Sequence, residues 1–323
     1  MSLKKRDEKL RLCSVIIWII LGVTGCISGT PTIKIEQNQE MLSFVDAFGD
    51  EVEVPMHPKR VVCLYHSYLE LWDLAGGSVV GRVQSDQPVP EKAQQADIVG
   101  TTGTPNIEKL LVLEPDLVIL SPTMNGKDEF VSLLQQQNIP YLALRYDTFD
   151  EYLKVFRLFT TITGRDDLYQ KYGEEQRKEI EKLISQAPQD KKPKVLLLFV
   201  TAREVKVRFS NSTVGSMLED LGALHVAYDA QLSQEEMQIF SMEKILERDP
   251  DFIFIQTMGK VDQVQERMKM ELETHPAWKT LTAVQQEKCI LLPKELYLYK
   301  PNDRYIEAYE GLARILYPEV FGE

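Results

Sequence analysis

Short apolar runs alternate with amphipathic stretches along most of the chain. Residues 61–64, 79–83, 117–120 and 141–144 are compact apolar blocks, and residues 195–199, 205–209, 252–255 and 290–292 repeat the habit in the second half. Blocks this short, bounded by polar turns, predict strands buried on both faces. Separated by helical patterns, they predict mainly parallel sheets covered by helices, an α/β architecture. Between the halves, residues 166–186 carry Leu168, Tyr172, Ile180 and Leu183 on a helical spacing amid dense charge, with Gly173 and no proline. This predicts one long, largely exposed helix, about 30 Å if unbroken, closed off by Pro188 and Pro193. Residues 303–317 predict a final amphipathic helix through Ile306, Tyr309, Leu312, Ile315 and Leu316.

The chain also echoes itself. Residues 106–120 read NIEKLLVLEPDLVIL and residues 241–255 read SMEKILERDPDFIFI, aligned without a gap. Glu108/Glu243, Lys109/Lys244, Leu111/Leu246, Pro115/Pro250 and Asp116/Asp251 are identical pairs. Each copy predicts a helix, a Pro-Asp stop and a buried strand, because proline ends the helix and constrains the residue before it. Two lobes built on one plan are therefore expected, in a chain of 323 residues, 44% of them hydrophobic, which rules out global disorder.

Charge separates the first residues from the rest. The net charge is −12, yet residues 1–25 hold Lys4, Lys5, Arg6, Lys9 and Arg11 against Asp7 and Glu8, a net of +3 that leaves −15 for the remainder. The basic head runs into the apolar stretch 12–23 and then Thr24-Gly25-Cys26. That run is shorter than a spanning helix needs, and the order of basic, apolar and small residues predicts an export signal. Val23-Thr24-Gly25-Cys26 resembles a bacterial lipobox, which implies a lipid anchor on Cys26. The expected divisions are a signal over 1–25, a tether over 26–41, a first lobe over 42–165, a connecting helix over 166–187 and a second lobe with the final helix over 188–323. Of four cysteines, only Cys63 and Cys289 then remain in the body, and both are expected to be buried free thiols. The acidic body carries no basic footprint for nucleic acid.

Several phrases together resemble the Fe/B12-type (class III) substrate-binding proteins of ABC transporters. Pro58-Lys59-Arg60-Val61-Val62, Ser67-x-x-Glu70 and Val79-Val80-Gly81 are similar to the family's opening. The stretches 106–109 and 115–119 match its commonest phrase, and His275-Pro276-Ala277-Trp278 with Leu281 its second lobe. The resemblance runs from about residue 44 to 317. It implies two Rossmann-like lobes joined by one rigid helix, with a ligand cleft between them and no resident cofactor. The cargo it implies is an iron chelate, a ferric siderophore above all, with haem or cobalamin as alternatives. A permease with its ATPase subunits is the implied partner of a monomer, docking on Glu70 and on a counterpart for which Glu219 is the candidate.

Ligands of open parallel sheets bind beyond the carboxyl ends of the strands. That rule selects Tyr65, His66, Thr102, Thr104 and Arg145 in the first half, and Arg203, Arg208, Tyr297, Tyr299 and Lys300 in the second. The four cations would make a locally positive cleft in an acidic body, suited to anionic oxygen-rich chelates through forked arginine contacts. Tyrosines supply flat apolar contact with a polar tip. His66 could reach a metal, and Tyr297 and Tyr299, two apart and read as one face of a strand, could offer a phenolate. His57, His225 and His275 are expected to be structural, and no metal site of the protein's own is expected. Enzyme motifs are missing from the sequence: GxGxxG, GxxxxGK[ST], GxSxG and HExxH do not occur. A capture protein is the expectation; a surface-anchored enzyme or interaction protein on the same scaffold is the alternative from another class.

Overall fold

The structure, a computed structural model, describes residues 36–38, 40–226 and 242–322; the expected signal and Cys26 lie outside them. An antiparallel sheet of β1 (Glu36–Asn38), β2 (Met41–Val45) and β3 (Glu51–Pro55) leads the first lobe, so strand structure begins inside the stretch expected as tether. The lobe continues through β4 (Val61–Cys63), α1 (His66–Leu74), β5 (Gly81–Gln84), β6 (Asp97–Thr101), β7 (Thr104–Pro105) and α2 (Ile107–Val112). It ends with β8 (Leu117–Leu120), α3 (Lys127–Gln136), β9 (Tyr141–Ala143) and α4 (Phe149–Thr163). Its sheet runs β7-β6-β5-β4-β8-β9 and is parallel except for the β6–β7 hairpin.

The connecting helix forms as expected over 166–186, but not uniformly. Helix α5 (Asp166–Tyr169) passes through a π-helical turn (Gln170–Glu174) into α6 (Glu175–Gln186). The wider turn leaves the Tyr172 carbonyl available, and it accepts from the Tyr152 hydroxyl (3.2 Å) and Gln176 Nε2 (3.0 Å). The second lobe holds β10 (Lys194–Thr201), β11 (Val205–Arg208), α7 (Thr213–Asp220), β12 (Leu224–His225), α8 (Met242–Arg248) and β13 (Phe252–Met258). It closes with α9 (Val261–Met268), α10 (Thr282–Gln285), β14 (Cys289–Leu291), α11 (Lys294–Tyr297) and α12 (Tyr305–Leu316). The strand order is β11-β10-β13-β14, with β12 beside the first residues of β10.

The sequence echo corresponds to one structural unit used twice. Strand β8 lies parallel to β4, and β13 lies parallel to β10. In both copies the residue before the proline takes a left-handed backbone, φ 44° at Glu114 and 43° at Asp249. The aspartate after it reaches the start of the neighbouring strand. Asp116 accepts from the backbone N–H of Lys59 (2.6 Å) and Arg60 (2.8 Å), and Asp251 from that of Lys194 (2.7 Å). The basic side chain at that point returns to the end of the helix. Arg60 donates to the carbonyl of Leu113 (2.8 Å), and Lys194 Nζ to that of Arg248 (2.7 Å). The repeated Pro-Asp therefore sets both the helix stop and the strand register.

Three expectations change. The run at 205–209 is not a further parallel strand: three residues cannot carry a crossover, so β11 turns straight back and pairs antiparallel with β10. Tyr297 and Tyr299 do not share a strand, because α11 ends at Tyr297. Cys63 is buried, but Cys289 is exposed, because β14 is an edge strand.

The lobes also share a core. Val195, Leu197 and Phe254 of the second sheet belong to the same buried cluster as Val61, Leu117 and Ile119 of the first. Aromatic rings of α4 and α12 form the seam, with Tyr305 5.0 Å from Tyr152 and 5.1 Å from Phe149 between ring centres. Prising such a seam apart would expose rings that each bury 150–250 Å² or so, at about 25 cal/mol per Å². Large rotation of the lobes is therefore costly, and the cleft between them is largely preformed.

Candidate functional site

A cleft of about 880 Å³ opens where strands of both sheets end. Tyr65, His66 and Ser67 follow β4, Thr102 follows β6 and Asp147 lies beyond β9. From the second lobe come Phe199 on β10, Arg208 on β11, Met258 and Lys260 around the end of β13, and Lys294 to Lys300 beyond β14. The crevice rule thus locates the site on both sheets, and the volume lies in the range of small-ligand sites.

Of the ten residues expected to bind cargo, Tyr65, His66, Thr102, Arg208, Tyr297, Tyr299 and Lys300 line this cleft. Three do not. Thr104 sits in β7, its hydroxyl 2.9 Å from that of Thr101. Arg203 is exposed in the β10–β11 turn, its backbone N–H bonded to the Thr201 hydroxyl. Arg145 points outward and pairs with Asp147, Nε to Oδ2 2.7 Å.

The lining carries four cations, Arg208, Lys260, Lys294 and Lys300, against two carboxylates, Asp86 and Asp147. Lys300 is committed: its Nζ lies 2.9 Å from Asp147 Oδ1 and 3.1 Å from Thr213 Oγ1, and 5.2 Å from the centre of the Tyr146 ring. Burial alone would raise the Asp147 carboxyl, but the charge and hydrogen bond of Lys300, then those of Arg145, hold it below the usual aspartate value. Arg208 stacks on Phe199, its guanidinium carbon 4.5 Å from the ring centre. Burial lowers its pKa, with the charges of Asp147 and Glu204 acting the other way. An anionic ligand would relieve that penalty.

His66 begins α1, is 6% exposed, and neither ring nitrogen has a hydrogen-bond partner; Nε2 lies 3.5 Å from Glu70 Oε1. Tyr297 is buried, donates its hydroxyl to the Ala308 carbonyl (3.0 Å), and has its pKa raised by burial to about 12. It is a neutral phenol at physiological pH and not a phenolate. Among the described residues no group of three His, Cys, Asp or Glu side chains is placed to hold a metal ion.

The expected docking glutamates differ. Glu219 is exposed at the end of α7. Glu70 accepts from Asn302 Nδ2 (3.2 Å) and lines a second cavity of about 470 Å³ beside the cleft. Asn302 is a junction that sequence reasoning did not anticipate. It is 4% exposed, accepts from the Tyr146 hydroxyl (2.7 Å), and donates to Glu70 and to the Ser67 carbonyl (3.3 Å).

A two-lobed α/β body with a preformed inter-lobe cleft at the strand ends describes a solute-binding protein rather than a site of turnover. Residues 61–296 match the model of the periplasmic binding protein family, and the chain belongs to that family. Its members bind solutes and are not enzymes, and this chain is a substrate-binding protein of the iron, siderophore and haem type that serves ABC importers. It is 28% identical over 285 residues to the Fe(3+)-citrate-binding protein YfmC of Bacillus subtilis, covering 86% of this chain and 87% of that one. Among solved structures it resembles Staphylococcus aureus IsdE complexed with heme, with a TM-score of 0.68 at 21% identity over 80% of this chain and 98% of that one. Staphylococcus aureus SirA complexed with staphyloferrin B gives 0.63 at 20% identity, over 86% and 97% of the two chains.

Proposed function

We propose that the mature chain is an extracytoplasmic lipoprotein, held at the cell membrane through Cys26, that captures a ferric siderophore in this cleft and delivers it to a permease. The observation that carries the reading is the lining: Arg208 on Phe199 and a surplus of cations, with tyrosine faces, inside a body of net charge −15. A chelate with carboxylate or catecholate oxygens meets forked donors there, and its flat faces meet Tyr65 and Tyr299. Curated and solved relatives that carry ferric citrate, staphyloferrin B or heme in their names support a metal chelate as cargo. Glu70, and more weakly Glu219, are the proposed docking carboxylates for basic side chains of the permease. ATP hydrolysis on separate subunits would then drive release, with the binding protein acting as a monomer.

Haem is the second reading, with cobalamin beside it, because His66 lines the cleft and its buried ring nitrogens lack hydrogen-bond partners. Titration of the purified protein with ferric citrate, ferrichrome, haemin and cyanocobalamin, read by intrinsic fluorescence and visible absorption, separates these. Saturable binding of a ferric siderophore without a Soret shift supports the first reading. A Soret shift that disappears in His66→Ala supports the second. No saturable response to any probe overturns both.

A further inference from the structure

Asp147 is the residue of the cleft whose presence is least explained by binding an anion. Its carboxylate has no part in starting the helix behind it: the Thr148 side chain accepts from the Glu151 N–H, and Glu151 accepts from the backbone N–H of Asp147 (2.7 Å). Asp147 instead spends both carboxylate oxygens on cations. Oδ1 faces Lys300 at 2.9 Å and Oδ2 faces Arg145 at 2.7 Å. Its side chain is 29% exposed, and that of Lys300 only 16%. The same ammonium also reaches Thr213 at the start of α7, so the pair closes across from the first lobe to the second. Among the described residues, Arg208 and Lys260 show no ion pair or hydrogen bond from their side chains.

We propose that Asp147 is a resident carboxylate that occupies Lys300 in the cleft, held from outside by Arg145, and so sets the charge of the cargo the cleft accepts. The cleft then offers Arg208 and Lys260 to one or two anionic groups, while a more highly charged chelate must compete with a carboxylate already in place. Asp147 is in this sense a specificity determinant of the proposed capture function, on which the inference rests. Its removal changes the charge preference of the site and leaves the Glu151–Thr148 helix start intact.

The experiment compares the full protein with Asp147→Asn, using ferric citrate as anionic probe, ferrichrome as uncharged probe, and metal-free citrate as a probe of the cationic subsite alone. Removing one full charge at contact range from an anionic group is expected to tighten ferric citrate about tenfold relative to ferrichrome. The gain should shrink as salt is raised and vanish in Asp147→Asn/Lys300→Gln. Metal-free citrate should raise the melting temperature of Asp147→Asn more than that of the parent, where Arg208 and Lys260 alone receive it. An unchanged ratio between the two ferric probes, or an equal gain for both, overturns the proposal. If neither protein binds a ferric probe, the capture reading fails by itself, and citrate decides the role of Asp147: greater stabilisation of the variant supports it, and equal stabilisation or none overturns it.

Discussion

Replacing Asn302 by alanine tests whether the inter-lobe junction is held by polar contacts as well as by aromatic packing. The substitution removes the acceptor of the Tyr146 hydroxyl, which lies in a residue only 1% exposed. A buried donor left without a partner costs about 1–3 kcal/mol. The bonds to Ser67 and Glu70 go with it, at roughly 0.5–1.5 kcal/mol each. Asn302 also holds φ 54°, a left-handed backbone that asparagine tolerates and alanine resists by about 1 kcal/mol. The expected loss is about 3–7 kcal/mol, measured by urea unfolding from the midpoint at constant slope. Tyr146→Phe alone should cost less, and in the double variant no hydroxyl is left stranded, so the two losses should fall short of additive by about 1–2 kcal/mol. A loss below 1 kcal/mol for Asn302→Ala, or strict additivity, would refute the reasoning.

Further outcomes follow from other elements. Asp251→Ala should cost about 1.5–3 kcal/mol by freeing the backbone N–H of Lys194, with Asp116→Ala costing at least as much because two N–H groups depend on it; thermal unfolding of each variant checks the pair. Gly100 holds φ +114°, and a Cβ there would lie 2.6 Å from the Thr104 carbonyl oxygen, so Gly100→Ala should destabilise the fold and weaken cargo binding through the displaced Thr102 loop, read by calorimetric titration. Burial lowers the His225 pKa, against the hydrogen bond of its Nε2 to the Gly215 carbonyl (2.9 Å), so the unfolded chain binds its proton first. Stability should therefore be full above about pH 6.5 and fall as pH drops below it, and His225→Asn should flatten that part of the pH–stability curve.

The chain's patterning reveals the sheets more completely than the cleft. Apolar blocks such as 117–120 and 252–255 declare strands because parallel sheets bury both faces, and the Pro-Asp echo declares a duplicated unit because its helix stop and strand tie need the same residues twice. The turn-back of β11 was visible only in the shortness of the loop at 202–204, which allows a hairpin and nothing else. The π-helical turn left one trace, Gly173, where a Cβ would lie 3.1 Å from the Tyr169 ring. At the site, the crevice rule reached Arg145 and stopped two residues short of Asp147, because a search for cations passes over a carboxylate. Arg203 and Arg145 fall outside the lining for a related reason: a strand end specifies which loop faces the cleft, but not which of its side chains turns inward. Asn302 had no sequence signal at all, since its partners come from residues 67, 70 and 146, far away along the chain.

The central claim is that an anionic ferric chelate binds between the lobes against Arg208. Calorimetric titration of ferric citrate into the protein and into Arg208→Gln tests it most directly, with unfolding curves to show that the fold is kept. A charge-assisted bond of this kind is worth about 1.5–3 kcal/mol, so the account predicts affinity weakened by about ten- to a hundredfold in the variant. Equal affinity in both proteins would contradict it.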